Sequence, residues 1–316
     1  MPSIRPGSVL AGLLSTAVTA LTALTALVVT GCSSSADQPS GAVSGPVRVV
    51  ATFYPLAWMV EHIGGDQVTV TNLTPPGVEP HDLELAPDQV EALADADLAV
   101  VMGRGFQPGP EKVAAGRSGA TVVVLDALGI AAGKVTEGGG GVDPHIWLDP
   151  VEFSSIRDEV VSALSVVRPT EARAFAARAT ALGADLKALD AEFRAGLSSC
   201  ARTLMVTNHE AFGRMATRYG LVQEGISGLS PDAEPDPQRL ADLADMVKAK
   251  GVTTVFVEEL GPRKFAETLA REAGVKTEVL SPIEGLTVKE LADGGSYLSV
   301  MRDNLATLRT ALDCSS

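Results

Sequence analysis

Three of the four histidines in this chain lie in short polar motifs that could bind a metal ion. His81 lies in Glu-Pro-His-Asp, His145 in Asp-Pro-His-Ile-Trp and His209 in Thr-Asn-His-Glu, each 64 residues from the next. This spacing excludes a local finger or a helical histidine pair, so the three can meet only if the fold gathers distant loops. Three imidazoles and an oxygen form a borderline-soft site that suits zinc. The fourth histidine, His62, falls within a predicted helix, where we expect it at the surface.

Eight short segments rich in apolar and β-branched residues predict strands. They are residues 47–53, 67–73, 97–102 and 121–125 in the first half, and 203–206, 222–226, 253–257 and 277–280 in the second. Helical patterns alternate with them at residues 55–63, 88–95, 210–219, 237–250, 262–273 and 297–312. Such alternation favours parallel sheets covered on both faces. We therefore predict an α/β fold of two lobes, each with a parallel four-stranded sheet flanked by helices.

The middle of the chain carries helical patterns without strands. Residues 151–167 form an amphipathic segment, and residues 170–199 are rich in Ala, Arg, Leu and Glu, with only two glycines as interruptions. At 1.5 Å per residue the second helix would be about 45 Å long. Because the clean heptads of a coiled coil are missing, we interpret it as one long, rigid helix that joins the lobes.

The three motif histidines fall near the ends of predicted strands. His81 follows the strand at 67–73, His209 follows the strand at 203–206, and His145 lies in the loop that leads into the helix at 151–167. In open α/β sheets, ligands bind beyond the carboxyl ends of the strands. We therefore expect all three on one edge, facing the cleft between the lobes.

The N-terminus has the pattern of an export signal. Arg5 precedes an uncharged apolar segment, residues 9–29, and Val-Thr-Gly-Cys follows, with the cysteine at position 32. This pattern is typical of a bacterial lipoprotein signal, residues 1–31, with Cys32 as the lipidated first residue of the mature chain. An uncleaved membrane anchor is the alternative, because 21 apolar residues could just span a bilayer.

The mature chain of 285 residues (316 minus 31) is long enough for two lobes with packed cores. Its start is rich in Ser, Gly and Pro, which is typical of a flexible tether. The predicted divisions are a tether at 32–46, an N-terminal lobe at 47–167, the long linking helix at 168–200 and a C-terminal lobe at 201–316.

Charge and cysteine content narrow the classes of protein further. The formal net charge is −14, or −15 without Arg5, which argues against binding to nucleic acid. With Cys32 assigned to lipid, Cys200 and Cys314 remain as an even pair in an oxidising setting. We expect them to form a disulfide, with two free thiols or two thiolate metal ligands as the alternatives.

Several motifs resemble those of the metal-specific solute-binding lipoproteins of ABC importers for zinc and manganese. Asp-Pro-His-Ile-Trp-Leu-Asp-Pro at 143–150 is the most specific of them, and the resemblance extends from about residue 47 to 313. The other matching segments are residues 51–56, 63–66, 80–82, 209–213 and 255–258. The resemblance implies two α/β lobes that are joined by one long helix.

The resemblance also implies a ligand set. Zinc proteins of this family use three histidines, whereas manganese proteins have a carboxylate at the position of His209. Ser281 stands where the family has an aspartate ligand, and a neutral hydroxyl is a poor zinc ligand. Glu284 is therefore the first candidate for the fourth ligand, with Glu79 and a water molecule as alternatives. Glu258 is expected to support the site by accepting an imidazole N–H.

The resemblance implies a binding protein and not an enzyme. We expect a monomer, lipid-anchored outside the cytoplasm, that captures Zn²⁺ and delivers it to an ABC permease, with affinity that falls below about pH 6 because ligand imidazoles must be neutral. The alternatives are a manganese or iron carrier, an adhesin, and a zinc enzyme built on three histidines and a water molecule.

Overall fold

Two parallel four-stranded sheets form the framework of the chain. The computed structural model describes residues 45–130 and 141–315. The strand order is β2-β1-β3-β4 in the first sheet and β6-β5-β7-β8 in the second, so both sheets share one topology. The strands are β1 (Val47–Ala51), β2 (Val68–Asn72), β3 (Leu98–Val101), β4 (Ala120–Val123), β5 (Leu204–Thr207), β6 (Val222–Gly225), β7 (Thr254–Val257) and β8 (Lys276–Val279). The predicted α/β fold with two parallel sheets is confirmed.

Helices cover both faces of the first sheet, which forms the N-terminal lobe. They are α1 (Tyr54–Gly64), α2 (Pro87–Asp95), α3 (Pro108–Gly116) and the short α4 (Val124–Ala127). The sequence patterns missed α3, because Gln-Pro-Gly-Pro at 107–110 reads as a loop. Both prolines lie in the first turn, where their missing N–H groups cost no helical hydrogen bond.

Two consecutive helices follow the first sheet. They are α5 (Pro150–Val167) and α6 (Ala172–Gly196), separated by a 3₁₀ turn at Pro169–Glu171. The 3₁₀ turn, which begins at Pro169, delays the start of α6 relative to the predicted 170–199, and the helix of 25 residues is about 37 Å long at 1.5 Å per residue. Gly183 lies on α6 directly against the guanidinium of Arg157 in α5, so a side chain there would have to displace that guanidinium. The long joining helix is thus present and packs on α1, α5 and the last helix of the chain.

The second sheet and its helices form the C-terminal lobe. The helices are α7 (Gly213–Tyr219), α8 (Pro237–Ala249), α9 (Lys264–Ala273), α10 (Val288–Ala292) and α11 (Tyr297–Leu312). Arg218 of α7 connects this lobe to the helices that precede it. Its Nε lies 2.7 Å from Asp190 Oδ1 on α6 and 3.2 Å from Asp149 Oδ1 at the start of α5.

One apolar cluster runs through both lobes. It joins Val49 and Phe53 of the first lobe to Phe193 of α6 and to Met205 and Tyr297 of the second lobe. A second cluster fills the other face of the C-terminal sheet, around Val206, Val255 and Leu269. Because the main core is shared, we expect the two sheets to depend on each other for stability.

The last helix is tied back to the end of α6. Cys200 and Cys314 form a disulfide, the pairing that the sequence predicted, across a separation of 114 residues. Backbone hydrogen bonds lie beside it, from Ala201 N to Asp313 O at 3.0 Å and from Ser315 N to Ser199 O at 2.8 Å.

The predicted signal at 1–31, Cys32 and most of the tether lie outside the described residues. Within residues 45–130 and 141–315, no helix has the length and apolar character needed to cross a bilayer.

Candidate metal site

Four side chains from distant parts of the sequence converge between the two sheets. One ligand atom from each of His81, His145, His209 and Glu284 lies within 4.8 Å of the others. Glu284 Oε1 lies 3.2 Å from His81 Nε2, 3.1 Å from His145 Nε2 and 3.3 Å from His209 Nε2. His145 Nε2 and His209 Nε2 are 3.3 Å apart. The three motif histidines therefore meet, and the carboxylate named as first candidate meets them.

His81 lies in the loop after β2, and the neighbouring loop before α3 holds it. Glu79 Oε1 accepts a hydrogen bond from the His81 backbone N at 3.2 Å. The buried Gln107 donates from Nε2 to Pro80 O at 3.1 Å. The ring of Phe106 meets the His81 ring edge-on, with centroids 4.5 Å apart. These contacts fix the loop, yet the His81 side chain keeps 10% of its surface exposed.

His145 is fully buried and is oriented by the residue two positions before it. Asp143 Oδ1 lies 2.9 Å from the His145 backbone N and 2.8 Å from Nδ1. The carboxylate thus accepts the Nδ1 proton and leaves Nε2 to face the cluster. A 3₁₀ turn at Ile146–Leu148 follows and buries Trp147 behind the imidazole.

His209 lies two residues after β5 and uses a carboxylate from the neighbouring strand in the same way. Glu258 follows β7, and its Oε1 lies 2.7 Å from His209 Nδ1. The His209 carbonyl accepts from Thr207 Oγ1 at 2.7 Å and from Gln223 Nε2 at 2.9 Å. Glu258 Oε1 is therefore within hydrogen-bonding distance of the His209 ring.

Glu284 reaches the cluster because the loop after β8 turns sharply. Ile283 adopts φ 54°, a left-handed conformation that costs a β-branched residue about 1–3 kcal/mol. Ser281 Oγ accepts from Ile283 N at 3.2 Å, so the hydroxyl serves the turn. Asn304 of α11 bonds both backbone groups of Ser281, and Trp147 Nε1 donates to Pro282 O at 2.7 Å. Contacts on three sides therefore hold the turn.

Most of the separations between these donors match those of a tetrahedral zinc site. A tetrahedron with zinc–ligand bonds of about 2.0–2.1 Å has edges of about 3.3 Å. Four of the six separations within the cluster are 3.1–3.3 Å, and the two from His81 to the other histidines are no longer than 4.8 Å. The second oxygen of Glu284, Oε2, is buried and has no hydrogen-bond partner in the described part of the chain. A cation at the centre would compensate this carboxylate.

The buried ionisable groups of the cluster shift one another's pKa values strongly. Burial opposes ionisation of Glu284, but the surrounding imidazoles outweigh it and hold the pKa of this carboxyl well below its usual value. Burial also opposes the imidazolium forms of His145 and His209. Their carboxylate partners prevail, so that the pKa of His145 is raised and that of His209 is raised well above 6.5. Without metal, the cluster therefore retains protons on these rings and a negative charge on Glu284.

Glu79, an alternative fourth ligand, occupies a different role in the structure. Its Oε1 contacts the His81 backbone and lies outside the cluster of four ligand atoms. Burial, and then the nearby charge of Glu284, raise the pKa of Glu79 to about 9. A protonated carboxyl is a poor zinc ligand, so the geometry favours Glu284.

His62, the remaining histidine, is exposed on α1.

Sequence reasoning missed several residues that hold the ligands, namely Asp143, Gln107, Asn304 and Trp147. For Asp143, the sequence did contain a local signal. Both His81 and His145 follow an acidic residue and a proline, and in both the acidic side chain accepts from the histidine backbone N. This local turn is typical of aspartate two residues before its donor. The other contacts arise from packing between segments far apart in sequence, which no local pattern reveals.

Comparison with known proteins identifies a family. The model of the ZnuA family, described as zinc-uptake complex component A, periplasmic, matches residues 49–311. The zinc-binding protein AdcA of Streptococcus pyogenes is 37% identical over 291 residues, which cover 85% of this chain and 56% of that protein. This chain thus spans about half the length of that curated relative.

Two further relatives match over nearly their full length. The high-affinity zinc uptake system protein ZnuA of Bacillus subtilis is 32% identical over 299 residues, which cover 90% of this chain and 94% of that protein. The Zn(II)-bound ZnuA-like domain of Streptococcus pneumoniae AdcA superimposes with a TM-score of 0.71 at 36% identity. That match covers 85% of this chain and all of the domain.

Replacing the carboxylate at the centre tests its role as a ligand. Glu284→Gln keeps the shape of the side chain but removes the charge, and we expect zinc affinity to fall at least about 100-fold. The loss of a mere supporting partner typically costs 10–100-fold. Competition with a chromophoric chelator measures the affinity. Glu278→Gln, an exposed glutamate of β8 paired with Lys276, is the matched control and should bind as the parent does. Equal affinity for Glu284→Gln and the parent would remove Glu284 from the ligand set.

Proton release on zinc binding tests the electrostatics of the cluster. Because the pKa values of His145 and His209 are raised, zinc must displace protons at pH 7, and affinity should rise with pH through neutrality. Zinc affinity should fall as the pH drops below these raised pKa values. The fall should therefore begin at a higher pH than the pH 6 expected from unperturbed histidines. Calorimetry at pH 7 in buffers of different ionisation enthalpy measures the release. An observed enthalpy that is the same in every buffer would contradict it.

Proposed function

We propose that this chain, which belongs to the ZnuA family of zinc-uptake complex components, captures Zn²⁺ outside the cytoplasm and delivers it to the permease of an ABC importer. The observation that carries the proposal is the convergence of three imidazoles and one carboxylate, whose ligand atoms all lie within 4.8 Å of one another. The ligands come from both lobes, so a bound ion would join them. In this account zinc is the cargo of the protein and not a permanent part of it.

The donor set supports zinc over harder cations. Three of the four donors are imidazole nitrogens, whereas Mn²⁺ and Mg²⁺ prefer oxygen ligands. Each of His145 and His209 donates its Nδ1 proton to a carboxylate, which fixes the tautomer and makes Nε2 a stronger donor. The ligand types of the site therefore support zinc as the cargo.

Capture and release need a path to the solvent, and the exposed edge of His81 supports one. His145, His209 and Glu284 are buried, whereas His81 borders a groove of roughly 620 Å³. Asp82 and Glu84 line the same groove and would attract a cation. The ion would therefore meet His81 first on entry and leave it last on release.

The N-terminal part of the chain completes the proposed topology. Residues 1–31 would direct export, Cys32 would carry the lipid, and residues 32–46 would act as a tether. The folded lobes, at 47–167 and 201–316, would then work as a monomer close to the membrane and within reach of the permease. The Val-Thr-Gly-Cys motif at residues 29–32, the lipobox of this signal, supports this anchoring.

Binding, and not catalysis, is the role that the family supports. The matched family is a component of an uptake complex. The carboxylate of Glu284 occupies the fourth corner of the cluster, where a catalytic centre would keep a water molecule. Transport of zinc therefore accounts for the arrangement of the site better than a hydrolytic reaction does.

Equilibrium binding to the purified mature chain tests the function. We expect one Zn²⁺ per chain and a fall in affinity of at least about 100-fold for each of His81→Ala, His145→Ala and His209→Ala, because each removes a direct ligand. His62→Ala, the fourth histidine, is the control and should bind as the parent does. A parent that binds no zinc, or three site variants that all bind as tightly as the parent, would end the proposal.

Cell fractionation tests the anchor. Cys32→Ser removes the only thiol that the lipobox offers for lipidation, so the protein should move from the membrane to the soluble fraction. The lipid on Cys32 would be a diacylglyceryl group, and two chains are needed for stable anchoring. Without the cysteine, this group cannot be attached. A Cys32→Ser protein that stays wholly with the membrane would instead favour an uncleaved apolar anchor at residues 9–29.

A further inference from the structure

We infer that Arg214 is a positioning residue for the metal site, which acts on His145 through Asp143. Arg214 belongs to α7, five residues after His209 in the sequence, whereas Asp143 and His145 precede α5. The inference rests on the proposed zinc function. It adds a residue whose hydrogen bonds and ion pairs, within the described part of the chain, are made to Asp143 and Glu152 and to none of the four ligand side chains. It links the loop that carries one ligand to the loop that carries another.

The contacts of Arg214 are directed at the segment around Asp143. Its Nε and Nη2 both donate to the Asp143 carbonyl oxygen, at 3.0 and 2.6 Å. Its Nη1 donates to Glu152 Oε2 of α5 at 2.7 Å. The side chain is 18% exposed, so these hydrogen bonds are partly shielded from water. The guanidinium thus holds Asp143 in place and ties it to the first turn of α5.

Asp143 in turn sets the direction of the His145 ring. Its Oδ1 accepts from the backbone N and from Nδ1 of His145, at 2.9 and 2.8 Å. While Asp143 stays in place, the Nδ1 proton is occupied and the lone pair of Nε2 points to the cluster. If the Asp143 backbone moves, both hydrogen bonds and the direction of Nε2 are lost together.

The close approach of α7 explains why this residue can act on Asp143. A Cβ atom on Gly213 would lie 3.3 Å from Asp143 Oδ2, so a glycine there allows α7 to approach the carboxylate closely. Arginine then offers a planar fork that satisfies two acceptors at once. Lysine would supply one compact charge on a flexible stem and could hold only one of them well.

A double-mutant cycle tests whether Arg214 acts through Asp143. Arg214→Ala and Asp143→Ala should each weaken zinc binding by about 10–100-fold, the range for partners that orient a ligand. Together they should weaken it little more than the more damaging single change, because both break one connection. Arg214→Lys should restore part of the loss. If the two effects on affinity instead multiply independently, the inference is overturned.

The control variant is Arg302→Ala. Arg302 of α11 also binds a carboxylate, that of Glu192 on α6, through its Nε and Nη2 atoms. Among the residues that the structure describes, its hydrogen bonds do not reach the ligand loops. It should bind zinc as the parent does, with any loss confined to thermal stability. If Arg302→Ala weakens zinc binding as much as Arg214→Ala, general destabilisation explains both and the inference fails.

A spectroscopic signature separates orientation from stability. The sequence has only four histidines, so ¹⁵N-histidine labelling gives a resolvable set of imidazole signals. In the zinc-loaded parent, His145 should show a protonated Nδ1 protected from exchange. In Arg214→Lys, which keeps the charge and should fold, that proton should exchange faster, while the Nδ1 proton of His209 on Glu258 stays protected. Unchanged His145 exchange in both Arg214 variants would overturn the inference.

The outcomes also separate this inference from the proposed function. If the parent binds zinc through its three histidines but Arg214→Ala binds equally tightly, only the role of Arg214 is lost. If the parent binds no zinc, the function fails first and this inference fails with it.

Discussion

A single buried carboxylate holds the centre of the molecule together. Glu284 Oε1 lies within 3.3 Å of three imidazole nitrogens, although every one of these groups except His81 is fully buried. A buried charge is costly unless it is paired, and the loss of its partners would leave a large penalty. Protons on the imidazoles can supply the compensating positive charge, and so can a divalent cation. The cluster therefore favours whichever of the two is available, which couples metal capture to pH.

The fold serves this constraint by bringing four loops to one place. Three of the ligands follow the carboxyl ends of β2, β5 and β8, and the fourth lies at the entrance to α5. Parallel sheets direct all such loops to the same edge, which is where ligands of open α/β folds bind. The continuous core and α6 set the distance between the two sheets. Asp143 and Glu258 then fix the rings of His145 and His209, so the accuracy of the site rests on residues that do not bind the ion.

Much of this arrangement could be predicted from the sequence, and the rest could not for physical reasons. The strands, the long helix and the three histidines follow from periodicity and from position at strand ends. Glu284 could be named only as a candidate, because the left-handed turn at Ile283 is imposed by Asn304 and Trp147, which are distant in sequence. The link from Arg214 to Asp143 joins segments 71 residues apart and leaves no periodic signal. Helix α3 was missed because prolines in a first turn look the same as prolines in a loop.

The most direct test of the central claim is X-ray absorption at the zinc K-edge of the purified, zinc-loaded chain. Coordination by three imidazoles and one carboxylate predicts four nitrogen or oxygen neighbours at about 2.0–2.1 Å, with the outer scattering of three histidine rings. A shell of six oxygens, fewer than three imidazoles, or a sulfur neighbour at about 2.3 Å would contradict it.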